Sequence, residues 1–407
     1  MTGALEGLTV VEISHEACAW AGKLLAELGA ETIVVEPPGG STQRSYGPWL
    51  DDAPGPERSL WWWHYNTSKR SVVLDLDDRA DRTRFVRLVA GADILLEGEP
   101  PGRLAALGVD YADLNLHHPG LIHASVTPYG RTSPSKDLPA TDLTILAGGG
   151  PVWSCGYDDH TVAPVRGGGG QAFHIASHWA VQAVLIALFD RERTGEGQHI
   201  DVSMHAAANV TTEVASYGWH AAHGEVQRQT GRHASWVPSL PTQVRCADGR
   251  FVNTGLLPRT PREFRLMIEW LDQLGLQEEF ALTALLEMGA DRDVIDLGQL
   301  DKDPMLVEIL GAARDVTAFL CERLDAYDFF YGWQSRGLTA GIVYSPDEAM
   351  QDPHVVARGF PVDVEHTELG RSFTYPGAPY RMTGTPWHLR HRAPLLGEHQ
   401  SLLDDRR

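Results

Sequence analysis

The chain has 407 residues, 43% of them apolar and 22% charged, which is ordinary for a globular protein with room for two or three cores. A formal charge of −20 argues against nucleic acid or an anionic membrane surface as a general partner. Cys18, Cys155, Cys246 and Cys321 lie far apart without CxxC spacing, so reduced thiols are expected, with no metal site. The N-terminus lacks a basic stretch running into an apolar core, and the most apolar segment (173–190) carries His174, Ser177, His178 and Gln182. A core helix and a soluble cytoplasmic protein are the expectation.

In chain order, LTVVEI (8–13), CAWAGKLLAELGA (18–30) and ETIVVE (31–36) read as strand, helix, strand. Short apolar runs suit a parallel sheet covered on both faces. Further strands are predicted at SVVLDL (71–76), ADILLE (92–97), LIHASV (121–126) and GQHIDVSM (197–204), with helix-like intervals between. The alternation indicates an open α/β sheet. No GxGxxG follows the first strand, so a nicotinamide or flavin role lacks its main support. Residues 205–225 look helical. PTQVRCADGRFVNTG (241–255) signals a hairpin, and helices are predicted around 261–275 and 314–328. From 337 on, the chain reads as irregular, a tail that wraps over another domain or subunit. The expected division is a large α/β part at 1–225, a small α+β domain at 226–330 and a return to the large domain at 331–407.

The segment GGGGQAFHIASHWAVQAVLIALFDRERTGEGQ (167–198) raises the functional question. Gly167, Gly168, Gly169, Gly170 and Gln171 form either a loop over a site or a plain connector into the helix.

Several segments together resemble the family III CoA-transferases, the carnitine-CoA-transferase and formyl-CoA-transferase group (the CaiB/BaiF family). These are LEGLTVVEIS…LAELGAETIVVEPPGGSTQR, NTSKRSVVLDL (66–76), LAALGVDYADLNLHHPGLIHASVTPYG (104–130), RERTGEGQHIDVSM (191–204), CADGRFV, TPREF and APLLGEH (393–399). The resemblance implies a Rossmann-like large domain built from both chain ends, a smaller α+β domain, and an interlocked dimer binding coenzyme A thioesters. No covalently held cofactor is implied. It also implies a nucleophilic aspartate in the first turn of the helix that ends at the R-x-x-T-G motif. That carboxylate takes the acyl group as an anhydride and splits one hard step into easier ones. Backbone donors of a glycine-rich loop would stabilise the oxyanions, by about 3 kcal/mol each.

Counting back from Thr194, the aspartate position is Phe173, and the neighbouring registers give Ala172 and His174. The nucleophile is missing. The racemase branch is disfavoured as well, because its His-Asp pair reads Thr141-Asp142. The family's E-N-F-R-P-G stretch reads Glu97-Gly98-Glu99-Pro100-Pro101-Gly102. Substitutes for the nucleophile would be His174, Asp158, Asp159 or Cys155. The plainer readings are a packed histidine, a solvated turn and a small buried thiol. Arg44, Lys69, Arg70, His15 and Glu16 are the candidate CoA-binding residues, and Trp61-Trp62-Trp63 reads as a subunit interface. The expected role is the non-catalytic subunit of a heteromeric CoA-transferase beside a homologous chain that carries the Asp. A divergent active homodimer and an acyl-CoA-binding scaffold are the alternatives.

Overall fold

The computed structural model describes residues 3–232, 234–236, 242–254 and 257–405. The chain divides into two compact units. The first comprises residues up to 153, 165–217 and from 350 on, and the second 154–164 and 218–349.

In the first unit, β1 (Thr9–Ile13), α1 (Glu16–Glu27), β2 (Glu31–Glu36), α2 (Leu60–Tyr65) and β3 (Lys69–Val73) lead into α3 (Arg79–Ala90) and β4 (Ile94–Glu97). Then come α4 (Arg103–Leu107), α5 (Tyr111–Leu114), β5 (Ile122–Thr127), α6 (Asp142–Gly149), α7 (Gln171–Thr194), β6 (His199–Ser203) and α8 (Met204–Val210). The six strands form one sheet of order β3-β2-β1-β4-β5-β6, parallel throughout. This is the doubly wound order with its reversal between β1 and β4. The expected α/β architecture is therefore present.

Small residues bring α1 and α7 onto one face. Ala17, Ala21, Ala172, Ala176 and Ala180 are buried against Val10, Leu96 and Val126. By length and composition α7 could cross a membrane. One of its faces packs against α1, α8 and β5, while Trp179, Leu185, Ile186 and Phe189 stand exposed on it, so it is only partly the core helix expected. On the other face Phe85, Leu88 and Val89 of α3 cover Val11, Ile33 and Leu95.

A buried ion pair crosses this core. Lys69 Nζ lies 2.8 Å from Glu12 Oε2 and donates to Ala19 O and Asn66 Oδ1, each at 2.9 Å. Gly22 of α1 makes room for it, since a Cβ there would stand 1.8 Å from Glu12 Oε2.

Two of the expected readings change here. The segment after residue 337 is not wholly irregular. β9 (Gly341–Ile342) joins the second unit's sheet, and β10 (Pro361–His366) pairs antiparallel with β11 (Arg371–Pro376). The alternation at Val362, Val364 and His366 against Phe373 and Tyr375 is the period-2 signal that segment carried. Trp62 and Trp63 are buried within this unit against Val34, Val364, Tyr375 and Ala393, rather than held outward for a subunit interface. The tail wraps its own unit: Trp387 Nε1 donates to Glu27 Oε2 at 3.1 Å, and Pro394 O accepts from Trp62 Nε1 at 3.0 Å.

Between the units in sequence lies α9 (Glu213–Ala222). The second unit then has β7 (Gln243–Arg245), β8 (Phe251–Asn253), α10 (Pro261–Gln273), α11 (Thr283–Ala290), α12 (Pro304–Cys321) and α13 (Ala326–Ser335). Its three-stranded antiparallel sheet is β7-β8-β9, and its core centres on Phe264, Trp270, Leu306, Phe329 and Trp333. Pairing of β9 with β8 is why this unit reaches 349 and not 330. The single helix read over 314–328 is the end of α12 and the start of α13, broken at Glu322–Asp325.

Candidate functional site

β1, β4 and β5 all end at the edge of the sheet where its order reverses. In doubly wound sheets ligands bind in the crevice at that point. Here the residues after β1 (His15, Glu16), after β4 (Gly98 to Pro101) and after β5 (Pro128) enclose a cavity of about 350 Å³. Residues 136–141 and Ile145, Phe173 from the first turn of α7, and Met204 complete it.

His15 is the N-cap of α1, and its Nδ1 accepts from Ala17 N at 3.2 Å. The neutral ring therefore carries its proton on Nε2, and burial holds its pKa below the usual value. Gly98 is needed beside it, because a Cβ would meet His15 Nδ1 at 2.4 Å. Glu16 is raised by burial, with the Tyr46 hydroxyl hydrogen-bonded to it as a counterweight. Glu99 is also raised by burial, opposed by Arg103, whose Nε lies 2.9 Å away. The cavity thus holds two glutamates with elevated proton affinity and one imidazole donor, with Lys136 and Asp137 also on its wall and the rest mostly apolar.

The start of α7 has no side-chain cap of its own. Asp142 supplies one from α6: its Oδ1 accepts Ala172 N at 2.8 Å, and its Oδ2 pairs with Arg166 at 2.9 Å. Arg166 also donates to Gly167 O and Gly169 O. Those bonds pin the glycine segment, and residues 167–171 do not line the cavity. Thr141 is the N-cap of α6 in a reciprocal capping box with Thr144, a local role unrelated to proton transfer.

Of the five candidate CoA contacts, His15 and Glu16 face the cavity. Lys69 does not: it is 0% exposed and all three ammonium protons are taken. Nor does Arg44, 2% exposed, which pairs with Glu36 and Glu57, donates to Pro394 O and lies 3.9 Å over the Trp62 ring. Both cations brace the fold. Arg70 stands near the start of β3, at the opposite edge of the sheet from the cavity.

Among the substitute nucleophiles, His174 turns away from the cavity toward α1 and α2. Its ring stacks on Trp20 at 4.5 Å, and its Nε2 lies 2.7 Å from the Tyr65 hydroxyl. Asp158 and Asp159 belong to the second unit. The first pairs with Arg232 at 2.5 Å, and the second accepts from Thr161 N and Oγ1 in a tight turn. These bonds hold both carboxyls below the usual range, which is the opposite of a poised base. Cys155 is exposed in that unit. Sequence reasoning passed over Glu99. Its signal was the stretch that resembles E-N-F-R-P-G, in which an acid stands here in place of the aromatic residue.

His64 also stacks on Trp20, at 5.7 Å, and burial, Lys23 and His174 push it down to about 3. Folding therefore excludes a proton that the unfolded histidine binds near its ordinary 6.5. The stability involved is complete above that pH and is lost as pH falls toward the folded value. Thermal melts should show the His64→Gln chain losing less stability than wild type between pH 7 and pH 5, by about 2 kcal/mol. Equal losses in the two chains would refute this assignment.

The sheet order and the crevice at its reversal define a doubly wound α/β protein with a cavity at the carboxyl ends of its strands. The profile of CoA-transferase family III matches residues 5–400, and the chain belongs to that family. It is 31% identical to the succinyl-CoA:(R)-benzylsuccinate CoA-transferase subunit BbsE of Thauera aromatica, over 96% of this chain and 91% of that one. It is 29% identical to the succinate–glutarate CoA-transferase of Agrobacterium fabrum, over 98% and 94%. A CaiB/BaiF family protein from Brucella suis superposes with a TM-score of 0.79 at 25% identity, covering 100% and 99% of the two chains.

Proposed function

We propose that this chain is the non-catalytic subunit of a heteromeric, cytoplasmic family III CoA-transferase, interlocked with a homologous chain that carries the nucleophilic aspartate. One observation carries the reading. At the first turn of α7, where the family resemblance places that aspartate, the cavity is faced by the phenyl ring of Phe173. A phenyl group cannot accept an acyl group. Similarity to a relative named as a subunit supports the reading. The chain's own contribution would be to hold an acyl-CoA thioester in the His15–Gly98 cavity.

A second reading is an active homodimer that uses Glu16 or Glu99, favoured by the raised proton affinity of both. Incubation of the chain alone with succinyl-CoA or other acyl-CoAs plus hydroxylamine separates the two. Hydroxylamine traps an activated carboxyl as a hydroxamate, visible by peptide mass. The expected outcome is an unmodified chain that still binds CoA. A hydroxamate on Glu16 or Glu99 would sink the non-catalytic reading and select the second.

A further inference from the structure

At the opposite edge of the same sheet lies a second cavity, of about 240 Å³. The starts of β2 and β3 supply Glu31, Thr32, Ser68 and Arg70, and the C-terminal strap supplies Arg390 and His391. It is separated from the first cavity by the length of the strands, roughly 17 Å for a six-residue strand.

Three observations set it apart from an accidental dent. Two guanidiniums converge there with one lining carboxylate. Arg70 is 43% exposed and pairs with Glu31 at 3.2 Å, while Arg390 Nη2 is anchored on Ala26 O and Ala30 O at 3.0 and 2.6 Å. Next, the Thr32 hydroxyl is buried without a hydrogen-bond partner, in a residue only 1% exposed. Finally, Ser68 is held at φ +63°, a conformation costly for a non-glycine residue. The strap clasps it: Ser68 N donates to His391 O, and Ser68 Oγ accepts from Arg390 N, both at 2.9 Å. That clasp keeps Arg390 and His391 beside Arg70.

We propose that this cavity binds a small tetrahedral oxyanion, of which inorganic phosphate is the simplest, independently of the acyl-CoA cavity. The anion would bridge Arg70 and Arg390 and accept from the Thr32 hydroxyl. The crowding of positive charge is felt by its neighbours. His391 is held below its ordinary value by burial first, with Arg390 and Arg70 adding to it, and His399 is lowered by burial and by Arg70. A bound dianion would relieve that repulsion.

The same chemistry could come from free phosphate or from the phosphates of CoA, and the test separates them. The full chain is titrated with inorganic phosphate against chloride at matched ionic strength, following thermal stability and heat of binding, with and without saturating CoA. The expected result is a saturable, phosphate-specific stabilisation that CoA leaves unchanged and that Arg70→Gln weakens about tenfold. Thr32→Val is the second variant, should Arg70→Gln fold poorly: it removes the unpartnered hydroxyl from which the anion would accept, and it too should weaken binding. Absence of a phosphate-specific effect overturns the proposal, as does equal binding by the variants. Competition by CoA also overturns it, because the anion would then sit with the CoA phosphates. None of these outcomes bears on Phe173, so the subunit reading stands or falls separately.

Discussion

Phe173→Asp is expected to give this chain a trappable acyl-enzyme step that the wild type lacks. Residue 173 is the third residue of α7, inside the first turn and on the wall of the cavity. A carboxylate there is favoured by the helix N-terminus, by about 0.3–1 kcal/mol, and needs no new backbone geometry. It would be the smaller side chain, so the exchange opens the cavity. His15, with its proton on Nε2, remains on the cavity wall as a donor. With acyl-CoA and hydroxylamine, the variant should accumulate hydroxamate at residue 173. Its rate should exceed the wild-type background by on the order of a hundredfold or more, since loss of a nucleophile commonly costs more than that. Glu99 is the internal control: if its carboxylate crowds the thioester, Phe173→Asp combined with Glu99→Phe should label faster than Phe173→Asp alone. A Phe173→Asp chain that binds CoA yet stays unlabelled would show that the cavity has lost more than its nucleophile. The idea of a site one residue short of activity would then be abandoned.

The sheet was legible because its strands are short apolar runs in a βα alternation, a pattern with few competing topologies. Every strand of the parallel sheet falls within or close to its predicted run. The β10–β11 hairpin escaped because half of its alternating positions are polar and partly exposed, so its periodicity is faint amid prolines and glycines. The site was legible in one respect: counting back from the R-x-x-T-G motif puts residue 173 in the first turn of one helix, and the structure has it there, on the cavity wall. Its charges were not. Arg44, Lys69 and Arg70 look alike in sequence, as cations beside turns and strand starts. Only packing separates a guanidinium stacked on Trp62, an ammonium sealed against Glu12 and a residue open to a surface cavity. Asp142 shows the same limit in reverse, because its role as cap for α7 depends on a partner 30 residues away.

Lys69→Met is expected to cost about 3–5 kcal/mol, against the 5–15 kcal/mol that holds a typical domain folded. Methionine fits the channel, so the loss comes from Glu12, left in the core without its cation. Burial already lifts Glu12 to about 7 from the ordinary 4.5, with Lys69 pulling it back down. Removing Lys69 pushes it higher still. A carboxyl whose folded value lies above its unfolded value stabilises the fold at low pH and loses that contribution as pH rises through the folded value. Lys69→Met should therefore be damaged least near pH 5, where Glu12 takes up a proton, and most at pH 8. Glu12→Gln added to it should recover much of the loss at pH 8, because an amide can stand where an unpaired anion cannot. Urea titrations of the three chains at both pH values decide the matter. A penalty below about 1 kcal/mol at pH 8 would mean that water reaches Glu12.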